Sequence, residues 1–160
     1  MKNIAHEIKW AVIFIVAGLA WMLLEKLTGL HDQHIDKHAY ITNLFMIVAI
    51  AVYWFALSAK RKSNGGTITF KKAFVSGLLM TLFITVLTPL WQYVSVEIIS
   101  PDYFKNVTEY SVAQKLMTAD EAAAYFNLRN YIISSLMFAP VTGIVTSALI
   151  ALIVSRKKLV

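Results

Sequence analysis

The sequence contains no cysteine, and only three prolines and six glycines occur in its 160 residues. Without cysteine the chain can form neither a disulfide nor a thiolate metal site, and its composition does not indicate a redox compartment. Charged residues are also scarce, at 15% of the chain, whereas 58% are hydrophobic and the mean hydropathy is +0.63. A soluble domain of this size does not need so much apolar surface, and we therefore predict a membrane protein.

Sequence motifs with known chemistry are missing as well. The chain has no glycine-rich phosphate loop, no nucleophile elbow and no His-Glu-x-x-His metalloprotease spacing. We therefore expect a protein that is not an enzyme, with no catalytic residue and no cofactor. The net charge of +6 does not indicate nucleic acid as a partner, because the basic residues separate apolar segments and do not line one amphipathic face.

Four long apolar stretches are what the sequence does contain. Each matches the roughly 20 residues that a helix needs to cross the hydrocarbon core of a bilayer. We predict an all-α fold in which residues 1–160 form a single membrane domain, a bundle of four transmembrane helices. The predicted spans cover about residues 8–29, 40–60, 70–99 and 122–155. A short extra helix, at about residues 101–117, is expected in the connection between helices 3 and 4.

Local signals predict where several of these helices begin and end. Thr69 is a suitable N-cap for the third span, and Gly29 can end the first. Ser100, followed by Pro101, has the pattern of a helix start for the extra segment. Thr118 opens a capping box, and we expect the helix that begins there to run without a break into the fourth span.

Basic residues are distributed unequally between the segments that flank the spans. Ten of the fifteen Lys and Arg lie in the N-terminal segment, the second connection and the C-terminus, and five lie in the first and third connections. Eight of the nine acidic residues accompany the smaller group. Because positively charged segments stay in the cytoplasm, both termini and the second connection are predicted to be cytoplasmic.

Glu25 is the one acidic residue that the residue count places inside the hydrocarbon, about one helical turn from its outer boundary. It recurs with Gly18, Met22 and Gly29 on one helix face, which we expect to look into the bundle. Two interpretations remain open: a structural ion pair, or a proton or cation site. The partners expected for a polar site around Glu25 are Arg129, Lys26, Asn43, Gln92 and Asn130.

Small and hydroxyl side chains recur at helical spacing in the third and fourth spans. Gly77 and Thr81 in the third span, Ala139 in the fourth and Gly18 in the first are predicted helix-packing positions. A water-filled pathway is the alternative for such stripes. We favour packing, because Thr and Ser hydroxyls can satisfy themselves on the carbonyl four residues earlier.

Three histidines, His31, His34 and His38, crowd the first outer connection. On a helix they would share a face at i, i+3 and i+7, and neutral imidazoles at that spacing can bind zinc or copper. A short connection between two spans has to be polar in any case. We therefore predict no metal site and keep these histidines as the weak candidates for one.

Short motifs along nearly the whole chain carry a family resemblance. They are EKLTG at residues 25–29, GTITFKKAF at residues 66–74 with Gly77 after it, PDYF at residues 101–104 and MTADEA at residues 117–122. With them the chain resembles a family of small bacterial integral membrane proteins known only as a domain of unknown function. The resemblance implies a four-span, multi-pass protein of the bacterial inner membrane, and it implies no activity.

Three hypotheses of function remain for such a protein. We expect a non-enzymatic structural or interaction subunit whose partners are the lipid bilayer and either further copies of itself or another membrane protein. The alternative is a small channel or transporter that handles an ion or solute through Glu25. A metal-dependent activity at the histidines is a more distant third hypothesis.

Overall fold

The computed structural model describes residues 4–155 of the chain. Four of the predicted cytoplasmic charges, Lys2, Arg156, Lys157 and Lys158, lie outside the described residues. Within that range every regular element is helical. The elements are α1 (Ala5–Leu27), α2 (Ile35–Ile41), a 3-10 turn (Thr42–Leu44), α3 (Phe45–Ser63), α4 (Phe70–Tyr93), a π-helical turn (Val94–Ile99), α5 (Tyr103–Ala113), α6 (Ala119–Tyr125) and α7 (Leu128–Val154).

Four helical segments are long and apolar enough to cross a membrane. They are Ala5–Leu27, Ile35–Ser63, Phe70–Ile99 and Leu128–Val154. The prediction of an all-α fold with four long apolar helices and shorter helices besides is confirmed. The first connection is shorter than expected, because α2 begins at Ile35 and joins α3 through the 3-10 turn.

The last connection departs from the prediction. The helix that begins after Thr118 ends at Tyr125, and a separate helix, α7, begins at Leu128. Asn127 separates them in an extended conformation, with φ −150° and ψ 159°, and its side chain accepts a hydrogen bond from the Asn130 N–H. Asn is favoured at an N-cap because its short side chain can accept a hydrogen bond from a backbone N–H at the start of the helix. The prediction of an unbroken helix from Thr118 into the fourth span was therefore wrong.

Other helix ends follow the local signals more closely. Thr69 caps α4 by accepting from the Lys72 N–H, and Thr118 forms the capping box with Glu121, so both predictions are confirmed. The extra helix, α5, begins at Tyr103, after Asp102. Ser100 therefore does not cap it, and the predicted start was about two residues too early.

Helix α4 is the centre of the bundle and packs most extensively against α7, then against α1. A Cβ atom added to Gly77 would lie 2.5 Å from Ser147 Oγ, and Gly143 lies against Thr81 in the same way. Ala139 is only half-buried, so the close approach on α7 occurs one turn later. Small residues allow the two backbones to come this close.

Hydroxyl groups along α4 bond to their own helix. Thr81, Thr85 and Thr88 donate to the carbonyls four residues earlier, at 2.9, 2.9 and 3.0 Å. Tyr53 Oη of α3 lies 2.8 Å from Thr81 Oγ1. The stripe of hydroxyls is thus hydrogen-bonded within the protein, as expected of helix packing rather than of a water-filled pathway.

Candidate metal centre

The end of helix α1 brings Glu25 and His31 together. Leu30 N–H donates to the Glu25 carbonyl at 2.9 Å, and Gly29 N–H donates to the Lys26 carbonyl at 3.1 Å. This pair of bonds is a Schellman motif, which needs a left-handed residue, and Gly29 supplies it with φ +76°. The motif turns the chain back, so that His31 lies beside the last turn of α1.

Helix α2 supplies the third member of the cluster, His38. The expected shared face of three histidines does not form, because α2 begins only at Ile35, after His31 and His34. His34 is exposed, whereas His31 is fully buried and the side chain of His38 is 14% exposed. His31 and His38 therefore meet Glu25, and His34 does not.

The three side chains form a compact cluster at what we call the histidine end of the bundle (Glu25, His31 and His38). Glu25 Oε2 lies 3.4 Å from His31 Nε2 and 3.6 Å from His38 Nε2. One ligand atom from each residue lies within 4.8 Å of the other two. The carboxylate is 2% exposed, so the cluster is shielded from solvent.

These separations are long for hydrogen bonds but suit ligands around an ion. An N–H···O bond is normally 2.7–3.2 Å long. Ligand atoms about 2.0–2.1 Å from a tetrahedral ion lie about 3.4 Å from one another. His38 Nε2 and His31 Nδ1 are buried with no hydrogen-bond partner among residues 4–155. The cluster thus offers two imidazoles and one carboxylate as ligands for a metal ion.

Neighbouring side chains hold the cluster in place. Trp21 Nε1 donates to Glu25 Oε1 at 2.7 Å, which orients the carboxylate and leaves Oε2 facing the histidines. Tyr103 Oη lies 3.4 Å from His38 Nδ1 and 3.0 Å from Tyr131 Oη. Burial raises the pKa of Tyr103, so its hydroxyl stays protonated. In the neutral tautomer of His38 that carries its hydrogen on Nδ1, facing Tyr103, the Nε2 atom has a free lone pair and can bind an ion.

Helix α5 covers the cluster from the side of the connection. Asn106 donates to the His31 carbonyl at 2.8 Å and to Asp32 Oδ1 at 2.9 Å. The Tyr103 ring packs against both imidazoles, with centroid separations of 5.1 and 5.2 Å. The extra helix is therefore fastened to the first connection and closes this end of the bundle.

In the described part of the chain, none of the partners expected for Glu25 bonds to its side chain. Arg129 and Asn43 are exposed, and Gln92 is half-buried. The bonds that the structure gives are Lys26 to Asp32 at 2.7 Å, Asn43 to the Ala39 carbonyl, Gln92 to Ser135 Oγ at 2.6 Å and Asn130 to the Ala124 carbonyl. Glu25 itself is partnered by Trp21 and the two histidines, none of which we had expected in that role.

A cavity of about 320 Å³ adjoins the cluster. His38 and Tyr103 line it, and Gly18 approaches the Trp91 ring in its wall. The other lining residues are the aromatic Trp21, Phe45 and Tyr131, together with Met22, Thr42, Gln92, Ser95 and Val96. A space of this size, lined by apolar rings and a few polar groups, is typical of a small-ligand site.

The opposite end of the bundle holds a second buried carboxylate, which the sequence did not single out. Glu7 is 3% exposed; it accepts from Lys60 Nζ at 2.8 Å and from Ser76 Oγ at 2.5 Å. Its nearness to the start of α1 was the only signal available, since its partners lie 53 and 69 residues away in the sequence.

Fold and site together define a multi-pass helical membrane protein with a buried Glu–His cluster at one end. The model of the family described as "Protein of unknown function (DUF4199)" matches residues 9–156, and the chain belongs to that family. The predicted resemblance to a family of unknown function is thereby confirmed. No curated protein and no solved structure matches the chain.

Proposed function

We propose that this membrane protein binds a divalent transition-metal ion, with zinc the best fit, through Glu25, His31 and His38. The observation that carries the proposal is the spacing of 3.4 and 3.6 Å between Glu25 Oε2 and the two Nε2 atoms. Two neutral imidazoles and one carboxylate are a donor set found in zinc proteins, and three protein ligands leave a fourth position open. The adjoining cavity offers space for a water molecule or small ligand there.

The proposed role is binding rather than catalysis. Hydrolytic zinc enzymes of the His-Glu-x-x-His type add a free carboxylate as general base. In the described part of the chain, the one carboxylate of the cluster is taken up as a ligand, and Asp32 nearby is paired with Lys26 and Asn106. The proposal gives Glu25 a role in binding an ion, whereas the alternative derived from the sequence was a small channel or transporter that uses Glu25.

Zinc titration of the purified protein tests the proposal. Chelator-treated protein in detergent should bind one Zn²⁺ per chain in competition with a chromophoric chelator. At a free Zn²⁺ concentration 100 times the Kd, the free energy of unfolding should rise by about 2.7 kcal/mol. Co²⁺ should give the absorption bands of a tetrahedral site, because the separations of Glu25 Oε2 from the two histidine nitrogens, 3.4 and 3.6 Å, are close to those between ligands of a tetrahedral ion.

Substitutions of single ligands locate the ion, and the chain supplies its own control. Glu25→Gln and His38→Gln should each weaken Zn²⁺ binding by more than the roughly 10–100-fold that loss of an outer hydrogen-bond partner costs. His34→Gln changes the same residue type in the same connection, but His34 is exposed and outside the cluster. The His34→Gln variant should bind Zn²⁺ with the same affinity as the wild type. Equal weakening by His34→Gln would overturn the assignment.

A structural role is the outcome if zinc does not bind. The cluster would then serve as a buried hydrogen-bonded network that fixes α5 on the bundle, and the protein would be a structural or interaction subunit. In that case Glu25→Gln should lower thermal stability in detergent, and added Zn²⁺ should not change it. A location in the bacterial inner membrane, with lipid and a second copy or another membrane protein as partners, belongs to either version.

A further inference from the structure

A second and larger cavity, of about 570 Å³, lies at the other end of the bundle. We call this the lysine end, defined by Lys60, Lys71 and Lys72, which all line the cavity. The apolar side of the cavity consists of Ile4, Ile68, Val75 and Leu79. We propose that this cavity binds an anionic phospholipid, with the headgroup phosphate at the lysines and the upper acyl chain along the apolar side.

The charge balance of the cavity favours an anion. Glu7 is the only acidic residue that lines it, and this carboxylate is already matched by Lys60 at 2.8 Å. Lys71 and Lys72 are exposed, and no carboxylate of residues 4–155 lies within ion-pair distance of either. Two positive charges are therefore left over at the mouth of the cavity.

Lys60 is held in place rather than free to move. Its partner Glu7 is itself fixed by Ser76 of α4, at 2.5 Å, so the ion pair connects α1, α3 and α4 in the wall of the cavity. This part of the wall is therefore preorganised, which lowers the entropic cost of binding a ligand against it.

The position of the cavity selects a lipid as the occupant. It lies where α3 ends and α4 begins, at the ends of two candidate spans, and lipid headgroups lie at this level of a membrane. Its volume falls in the range of ligand pockets, about 300–1,000 Å³. A small soluble anion would make no favourable contact with the apolar side of the cavity, whereas an acyl chain would pack against that side.

Lipid binding in nanodiscs or by native mass spectrometry in detergent tests the inference. Phosphatidylglycerol should remain bound to the chain, and zwitterionic phosphatidylcholine should not. The double variant Lys71→Gln/Lys72→Gln should weaken phosphatidylglycerol binding by about 25-fold, since each lysine near an anionic lipid contributes about five-fold. Val75→Trp should also weaken it, because the larger side chain fills the apolar side of the cavity.

The matched control is Lys9→Gln/Lys62→Gln. It removes the same charge, and both residues are exposed and do not line the cavity. Binding should stay within about two-fold of the wild type, because charges outside a site act through screened solvent. Thermal stability in detergent shows that each variant is folded. An equal loss in both double variants, or displacement of the lipid by millimolar inorganic phosphate, would overturn the proposal.

Discussion

At the scale of single residues, the chemistry of this protein depends on a few side chains that lie where they are costly to place. A buried carboxylate is unfavourable unless it is paired, coordinated or protonated. Glu25 and Glu7 meet that demand differently: Glu25 through Trp21 and the two histidines, and Glu7 through Lys60 and Ser76. The two carboxylates therefore mark the two ends of the bundle as its candidate sites.

One glycine decides whether the histidine end can form. Gly29→Ala forces an L side chain into a left-handed conformation, and the new Cβ would lie 2.8 Å from Gln33 Nε2. We expect the free energy of unfolding to fall by about 1–2 kcal/mol. Zinc affinity should fall as well, because this turn carries His31 back to Glu25. Unfolding in detergent and chelator competition measure the two effects.

Gly65→Ala is the control for that substitution. Gly65 also has φ +76°, but a Cβ there would meet no heavy atom within 4 Å, and the residue lies at the lysine end. It should show a similar loss of stability with unchanged zinc affinity. If Gly29→Ala leaves zinc affinity unchanged as well, the turn does not position His31 for an ion.

At the scale of helices, the contact between α4 and α7 determines how closely the bundle packs. At two places a glycine on one helix lies against a hydroxyl residue on the other, Gly77 against Ser147 and Gly143 against Thr81. Large apolar side chains cannot provide such a contact, because they hold the backbones apart. Without the hydrophobic effect between helices in lipid, close packing of this kind has to stabilise the association.

Gly77→Ala should therefore destabilise the bundle. The added Cβ would overlap the side chain of Ser147, and overpacking of this kind costs about 1–3 kcal/mol. Adding Ser147→Gly should recover most of that loss, because it removes the atoms that clash. Thermal or denaturant unfolding in detergent gives the coupling energy of the pair.

A substitution on the outer face of the same helix gives the reference value. Val86 is 67% exposed, so Val86→Leu should change the free energy of unfolding by less than about 0.5 kcal/mol. The inference that the close approach of α4 and α7 stabilises the protein would be contradicted by either of two results. One is a Gly77→Ala variant whose free energy of unfolding changes as little as that of Val86→Leu, and the other is a Ser147→Gly substitution that does not restore the loss.

At the scale of the whole molecule, the two ends of the bundle differ in charge and in structure. The lysine end has short turns and exposed basic side chains, whereas the histidine end is closed by α5 and holds the cluster. If the positive segments stay inside, the proposed metal faces the outside and the proposed lipid belongs to the inner leaflet. The orientation therefore decides on which side of the membrane each proposed ligand binds, but it does not change the residues that bind it.

Cysteine labelling tests that orientation directly, because the natural chain contains no cysteine to give a background. In intact cells a membrane-impermeant maleimide should label His34→Cys and should not label Thr67→Cys; both positions are exposed. After the membrane is permeabilised, both should react equally. Labelling of Thr67→Cys alone in intact cells would reverse the predicted topology.

The sequence by itself determined the four spans, their approximate limits and several of the caps. Hydrophobic length and local capping act over one helix or one turn, and these signals are complete within the segment concerned. It also identified Glu25 as a residue that needs a partner, because the cost of a carboxylate in hydrocarbon does not depend on the fold. His31, His34 and His38 were only weak candidates for a metal site, and nothing in the sequence connected any of them with Glu25.

Only the tertiary structure decided which residues meet. The Schellman turn at Gly29 and the start of α2 at Ile35 selected His31 and His38 over His34, and the packing of α5 added Tyr103. Helix packing likewise brings Glu7 into contact with Lys60 and Ser76, which are 53 and 69 residues away in the sequence. Such pairings depend on how four similar apolar helices rotate and cross, and helices that are apolar on nearly every face carry little periodicity to predict it.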